Sequence, residues 1–272
     1  MQTVMILTCG KAYAIYMAQY VNISGVEMKT VKKGRVAMVY PGRMIILGRD
    51  VTGTKNIVLY VITGRSPSSQ AREIVWEKDS FWVKPTDKDI IKTGNIDLLV
   101  YPSLFAINQG VAVSNGKQTV DILASLSHSR SASEILAFSL QKWEYEPDGP
   151  TFTPRISGCL LSSESAALSL IKRSENGSSI RNIYEFPLIK GKGCFISTYA
   201  GENIDPLSSF KGEPVEVDIK ETSPQKVAES LYERLAPDEP NKDFRVSVAS
   251  LFVNRKNTDK FEYYIINRKD RI

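Results

Sequence analysis

The chain has 272 residues, of which 35 are Lys or Arg and 30 are Asp or Glu, for a formal net charge of +5. Apolar residues make up 42% and charged residues 24%, which excludes disorder over the whole length, collagen-like repeats and a disulfide scaffold. A lone histidine, His128, and three cysteines without metal-ligand spacing, Cys9, Cys159 and Cys194, argue against a zinc site and a His-dependent triad.

The basic excess is too mild for a nucleic-acid coat protein and fits a small anionic ligand. No stretch approaches the ~18 apolar residues of a membrane span. The opening MQTVMILTCG lacks a basic leader, and its apolar run is shorter than a secretory one. The odd cysteine number suits a reducing compartment, so the expectation is a cytoplasmic protein with no nucleic-acid or membrane partner.

In chain order, strands are expected at 34–42 (GRVAMVYPG), 43–48 (RMIILG) and 56–64 (NIVLYVITG), the last two joined by a turn over Arg49 to Lys55. Further strands are expected at 96–101 (IDLLVY) and 110–114 (GVAVS). Helical periodicity follows at 119–128 and 131–143, with Ser131 as N-cap and Glu134 as its capping-box partner. Strands return at 155–162, 179–188 and 194–200. A helix over 223–235 opens with Ser223 as N-cap and Pro224 at its first position. A final hairpin joins 245–254 to 261–268 across Arg255 to Lys260. Strands in blocks with grouped helices suggest an α+β fold with two packed antiparallel sheets covered by helices.

Polar clusters gather at strand ends, where sites collect. TGRSPSSQARE (63–73) sets Arg65 and Arg72 among Ser66, Ser68 and Ser69. It is either a solvated loop or a holder for a phosphate dianion, since each guanidinium offers paired donors. VAVSNGKQTVD (111–121) carries Asn115-Gly116, a strong turn signal, just before a helix that could offer backbone donors to an anion. In WEYEPDGPTFTPRISG (143–158), Glu144, Glu146 and Asp148 precede Thr153-Pro154-Arg155, as acid/base equipment or as a paired surface turn. KGKGCFISTYAGENIDP (190–206) lacks a dinucleotide or P-loop fingerprint, and Cys194 within it reads as a small core residue.

In this order the clusters resemble the stand-alone archaeal-type IMP cyclohydrolase family. The matching elements are YPGRMIILGR from Tyr40, GRS at 64–66, AVSNG with Thr119 and Asp121, YEPD followed by TPRI, ISTY at 196–199 and SPQKVAE at 223–229. The resemblance covers roughly residues 40 to 268 and leaves 1–39 as an N-terminal extension before a domain over 40–272. The chain departs from the family pattern at Gln70, with Arg72 two positions on, at Lys117 and Gln118 after SNG, and at Pro102-Ser103 after Tyr101.

The resemblance implies a four-layer αββα sandwich like that of N-terminal-nucleophile hydrolases. It implies closure of 5-formamidoimidazole-4-carboxamide ribonucleotide (FAICAR) to inosine monophosphate (IMP) plus water, without metal or organic cofactor, in a homo-oligomer. It assigns Asn115, Arg155, Glu146 and Asp148 to catalysis. Arg43, Arg65, Ser66, Arg72, Gly116, Asp121, Thr153 and Tyr199 are assigned to substrate binding. A carboxylate beside Arg155 should have a lowered pKa and an orienting role unless burial opposes it. Two other readings stay open: a nucleotide-binding homologue without turnover, and an amidohydrolase using Thr8 or Cys9 exposed at a mature N-terminus.

Overall fold

The computed structural model describes residues 39–87, 89, 99–128, 130–237, 239, 242–255 and 260–271. The first expected strand lies largely outside these residues, as do Thr8 and Cys9. Its described part forms only an isolated bridge, Tyr40 to Gly201, with Tyr40 N donating to Gly201 O at 2.9 Å.

The early strands form where β-branched runs require them: β1 Arg43–Arg49 and β2 Lys55–Thr63, joined across the expected turn. A short helix, α1 Pro67–Gln70, replaces the loop expected after β2. Ser66 caps it and Ser69 returns the capping hydrogen bond. The hairpin β3 Arg72–Glu77 and β4 Ser80–Pro85 lies outside the expected strands, because its turn is Lys78-Asp79 rather than a glycine pair. Both residues take positive φ, 50° and 56°. The strand expected at 96–101 starts only at its last residue, as β5 Tyr101–Ile107; residues 96–98 lie outside the described set. β6 Gly110–Ser114 matches its expected range.

The helices α2 Thr119–Ser125 and α3 Ala132–Ser139 are shorter than their periodicity suggests. After α3 the chain turns, with Trp143 N donating to Leu140 O at 3.1 Å, and the indole moves to the flank of β7 Arg155–Leu161. β8 Ala166–Arg173 lies outside the expected strands, since its alanines carry little strand preference. Then come β9 Ser179–Phe186, β10 Lys192–Ser197, the short β11 Val215–Asp218, helix α4 Pro224–Arg234, β12 Arg245–Asn254 and β13 Phe261–Asn267.

Two antiparallel sheets result, a six-stranded one ordered β11-β10-β1-β2-β12-β13 and a seven-stranded one ordered β3 to β9 in sequence. The main core lies between them, where Ile45, Val58, Phe81, Leu104, Ile156 and Leu168 are sealed from solvent. A Cβ on Gly158 would lie 3.1 Å from Leu47 Cδ1, which shows how closely the sheets approach. A second core beneath α2 and α3 packs Ile122, Ile135 and Leu136 against Cys159 and Ala167. α4 lays Val227, Ala228, Leu231 and Tyr232 on β12 and β13, the spacing of a helix with one apolar stripe. The layers therefore run helix, sheet, sheet, helix. β2 is buried along nearly its whole length because both of its faces are covered, so its sequence is continuously apolar.

Where β3 and β13 form neighbouring sheet edges, Asn267 clips them together. Its Oδ1 accepts from Ile74 N at 2.9 Å and its Nδ2 donates to Ile74 O at 3.1 Å.

Candidate active site

Antiparallel pairing brings the starts of β1, β5 and β7 and the ends of β2 and β6 to one end of the sandwich, and polar residues concentrate there. At the floor stands Arg43. The residue before it, Gly42, has φ +76°, and a Cβ there would sit 2.1 Å from Thr198 Oγ1, so only glycine fits. Arg43 N donates to Thr198 Oγ1 at 3.1 Å, which anchors the backbone. Its guanidinium Nε is sealed from solvent without a hydrogen-bond partner. Burial opposes the Arg43 charge, but the oxygens of Tyr101, Glu146, Tyr199 and Tyr60 outweigh it and raise the pKa.

Arg72 is also buried, with Nε donating to Ser69 O at 2.9 Å and Nη2 to Thr63 O at 3.3 Å. Its pKa is lowered by burial and then by the like charge of Arg43. Tyr60 and Tyr101, both fully buried, share a hydroxyl–hydroxyl hydrogen bond of 2.9 Å. Burial pushes the Tyr60 phenol well up, with Tyr101 adding to the rise.

The facing wall comes from the β6–α2 turn and the segment before β7. Asn115 Nδ2 donates to Pro154 O at 2.9 Å, while its Oδ1 accepts from Ile156 N at 2.9 Å and from Gln118 Nε2 at 3.0 Å. Arg155 donates from Nε to Glu144 O at 2.7 Å and from Nη1 to Gln118 Oε1 at 3.2 Å and Glu146 Oε1 at 3.4 Å. Its guanidinium carbon lies 4.8 Å from the centroid of the Trp143 ring. Gly116 leaves the room this needs, since a Cβ would lie 2.6 Å from Gln118 Oε1 and 2.8 Å from Arg155 Nη1.

Glu146 is 2% exposed, and burial raises its pKa although Arg43 and Arg155 pull the other way. Burial does oppose the guanidinium here, so the lowered pKa expected of a carboxylate beside Arg155 is not found at Glu146. Asp148 accepts from Thr153 N at 2.6 Å and from the Thr153 hydroxyl, which also meets Tyr199 OH at 2.8 Å. Tyr199 stacks on Tyr40, with ring centroids 5.6 Å apart.

Of the residues singled out from sequence, Arg43, Arg72, Asn115, Gly116, Glu146, Asp148, Thr153, Arg155 and Tyr199 come together at this end. Arg65 and Ser66 lie at its rim. Arg65 engages Asp205 at 3.1 Å and Ile204 O at 3.1 Å and lies over the Tyr40 ring, while Ser66 is occupied as a helix cap. Asp121 stands apart on an exposed helical position, where it accepts from Trp143 Nε1 at 2.6 Å. It reaches the cluster only through the indole that flanks Arg155. Sequence reasoning gave no role to Tyr60, Trp143 or Gln118. A tyrosine inside an otherwise aliphatic strand was the available signal for Tyr60.

The described cysteines are ill suited to nucleophilic chemistry, because burial pushes Cys159 up to about 12 and Cys194 up to about 11. Among the described residues no group of three or more His, Cys, Asp or Glu side chains is placed to hold a metal ion. No helix among them is long and apolar enough to cross a membrane.

The arrangement holds guanidinium charge in excess of carboxylate in a water-poor space beside a carboxyl whose proton is held more tightly than usual. It can bind an anion, polarise carbonyl oxygens and move a proton. A family model described as IMP cyclohydrolase-like protein matches residues 40–259. A relative in Methanothrix thermoacetophila, described as IMP cyclohydrolase, is 30% identical over 171 residues, covering 62% of this chain and 78% of the relative.

Proposed function

The chain belongs to the IMP cyclohydrolase-like family, and on that premise we propose that it is a cytoplasmic cyclohydrolase closing FAICAR to IMP with release of water. The observation that carries this reading is the pair of buried arginines, Arg43 with an unpartnered Nε and Arg72 beside it, next to the Arg155–Glu146 contact. Buried guanidiniums without matching carboxylates call for an anionic, oxygen-rich ligand.

Ring closure joins the carboxamide nitrogen to the formyl carbon. The formyl oxygen then leaves as water, taking one hydrogen from the carboxamide nitrogen and one from the formamido nitrogen. Both reacting groups belong to one molecule, so the protein has to turn the formamido carbon towards the amide and hold it there. In this reading Arg72, with Arg65 and Ser66 at the rim, binds the 5′-phosphate. Arg43 and Arg155 face the carboxamide and formyl oxygens and stabilise the charge that develops on them. Asn115 holds the turn against β7 with its Oδ1 doubly engaged, and the remaining Nδ2 hydrogen is its one group for a substrate oxygen. Glu146 accepts the amide proton, and its raised pKa lets it return that proton to the departing oxygen. The Asp148–Thr153–Tyr199 hydrogen bonds fix the wall opposite Arg43.

The test is purified protein with FAICAR, followed by the absorbance change as the second ring forms. Turnover that survives exhaustive chelation is expected. No IMP after prolonged incubation would overturn the reading.

A further inference from the structure

Gln118 is fully buried at the start of α2 and touches both halves of the wall. Its Nε2 donates to Asn115 Oδ1 and its Oε1 accepts from Arg155 Nη1, so both ends of the amide are used in one orientation. Asn115 Oδ1 also accepts from Ile156 N, which leaves the adjoining atom of Gln118 no choice but to donate. The same Arg155 Nη1 is shared between Gln118 Oε1 at 3.2 Å and Glu146 Oε1 at 3.4 Å. Nη1 carries two hydrogens, one for each acceptor, so Gln118 Oε1 draws this nitrogen towards α2 and away from a closer approach to Glu146. Gly116 keeps the space open for both contacts.

We infer that Gln118 is a positioning residue that holds Arg155 partly away from Glu146 and so keeps the Glu146 carboxyl able to carry a proton. The inference rests on the proposed role of the Arg155–Glu146 contact. Without the amide, Arg155 would close on Glu146, and the carboxylate would gain a full ion pair. The groups that face Glu146 are Arg155 from β7, Arg43 from β1, Arg72 from β3 and Asp148 from its own segment. Of these, Arg155 is the one whose contact Gln118 governs.

Two substitutions differ in whether they keep the acceptor. Gln118→Met keeps the volume and removes the acceptor, so the Glu146 titration should move down by about one unit. Gln118→Glu keeps the Oε1 acceptor, while its second oxygen faces Asn115 Oδ1 and must carry a proton to donate there, so the titration should stay near that of the parent. The Glu146 carboxyl is followed by 13C NMR in the ligand-free full-length protein, with Glu146→Gln identifying its resonance. The acid limb of kcat/KM for FAICAR should shift in the same directions as the carboxyl, with kcat changing more than KM.

A role in packing alone would leave the two titrations together, and coincident titrations or shifts of the same sign would overturn the inference. The NMR measurement needs no turnover, so failure of the cyclohydrolase reading and failure of this one are separate results. If Gln118→Met does not fold, Gln118→Leu, which also removes the acceptor, decides by the same downward shift, and its absence overturns the inference.

Discussion

Arg43 and Arg49 stand at the two ends of β1 and meet opposite surroundings. Arg49 Nε donates to Asn56 Oδ1 at 3.2 Å, and its Nη2, also buried without a hydrogen-bond partner, lies 3.3 Å from the Glu164 carboxylate that also takes Arg255. Arg43 has a sealed Nε without a partner, a second buried arginine beside it, and one buried carboxylate shared with Arg155. One strand thus carries a matched charge at one end and an unmatched one at the other. The far end is built to hold the sandwich shut. The near end keeps electrostatic capacity for something that arrives from outside.

The widest separation between the ends should come from the carboxylates. Glu146→Gln is expected to lower kcat by roughly 10²–10⁴-fold, the usual loss for an acid/base group, whereas Glu164→Gln should leave kcat untouched. Steady-state kinetics on both folded variants checks this, and equal losses would dissolve the contrast.

Next in size is Arg72→Met, which should raise KM by about 2–3 kcal/mol, roughly 30- to 150-fold, if a charge-assisted phosphate contact is lost. Arg65→Ala removes a group already engaged with Asp205 at the rim and should raise KM by a smaller factor. Isothermal titration with IMP would show whether that order holds.

The two ends should also answer pH with opposite signs. Glu164 is held low first by its Arg255 hydrogen bond, so its stabilisation is present above the unfolded carboxylate pKa and fades as pH falls through the folded value. Glu146 is held high by burial, so its native state binds more protons than the unfolded chain. Its contribution is full below the unfolded pKa and is lost as pH rises through the folded value. Urea midpoints across pH 3 to 8, a span of about five units, should lose the rising-pH decline in Glu146→Gln and the acid-side decline in Glu164→Gln.

The smallest effect is the stability cost of Glu164→Gln near neutral pH, about 0.5–1 kcal/mol after allowing for the solvent exposure of Glu164. A loss several times larger in the urea midpoint would mean that Arg49, not Glu164, dominates that end.

The same contrast explains what sequence could tell. β6, β12 and α4 were legible because their local signals and their tertiary roles agree: a glycine-bounded apolar run, an apolar strand of full length, and a capped helix with one buried stripe. The β3–β4 hairpin was hidden because its turn spends positive φ on Lys78 and Asp79 instead of glycine. At the site, the guanidiniums and carboxylates stood out as residue types, while their roles depend on which face the fold turns inward. Asp121 matched a motif yet sits outside, and Gln118 looked like a departure yet lies at the centre of the wall. Burial, which reverses the expected shift of Glu146, is set by the meeting of two sheets distant in sequence. No local pattern encodes it.

The clip made by Asn267 has a further consequence for how copies of this chain meet in solution. An outer β-strand offers free amide and carbonyl groups, and such groups invite another chain to continue the sheet. At Ile74 both are already taken by one side-chain amide that imitates a neighbouring strand for the length of a single residue. Lys269 sets a charge against Glu73 beside it. A growing fibril would have to displace the carboxamide before a ladder could run through Ile74, so this border of the sandwich resists templated aggregation without a covering helix.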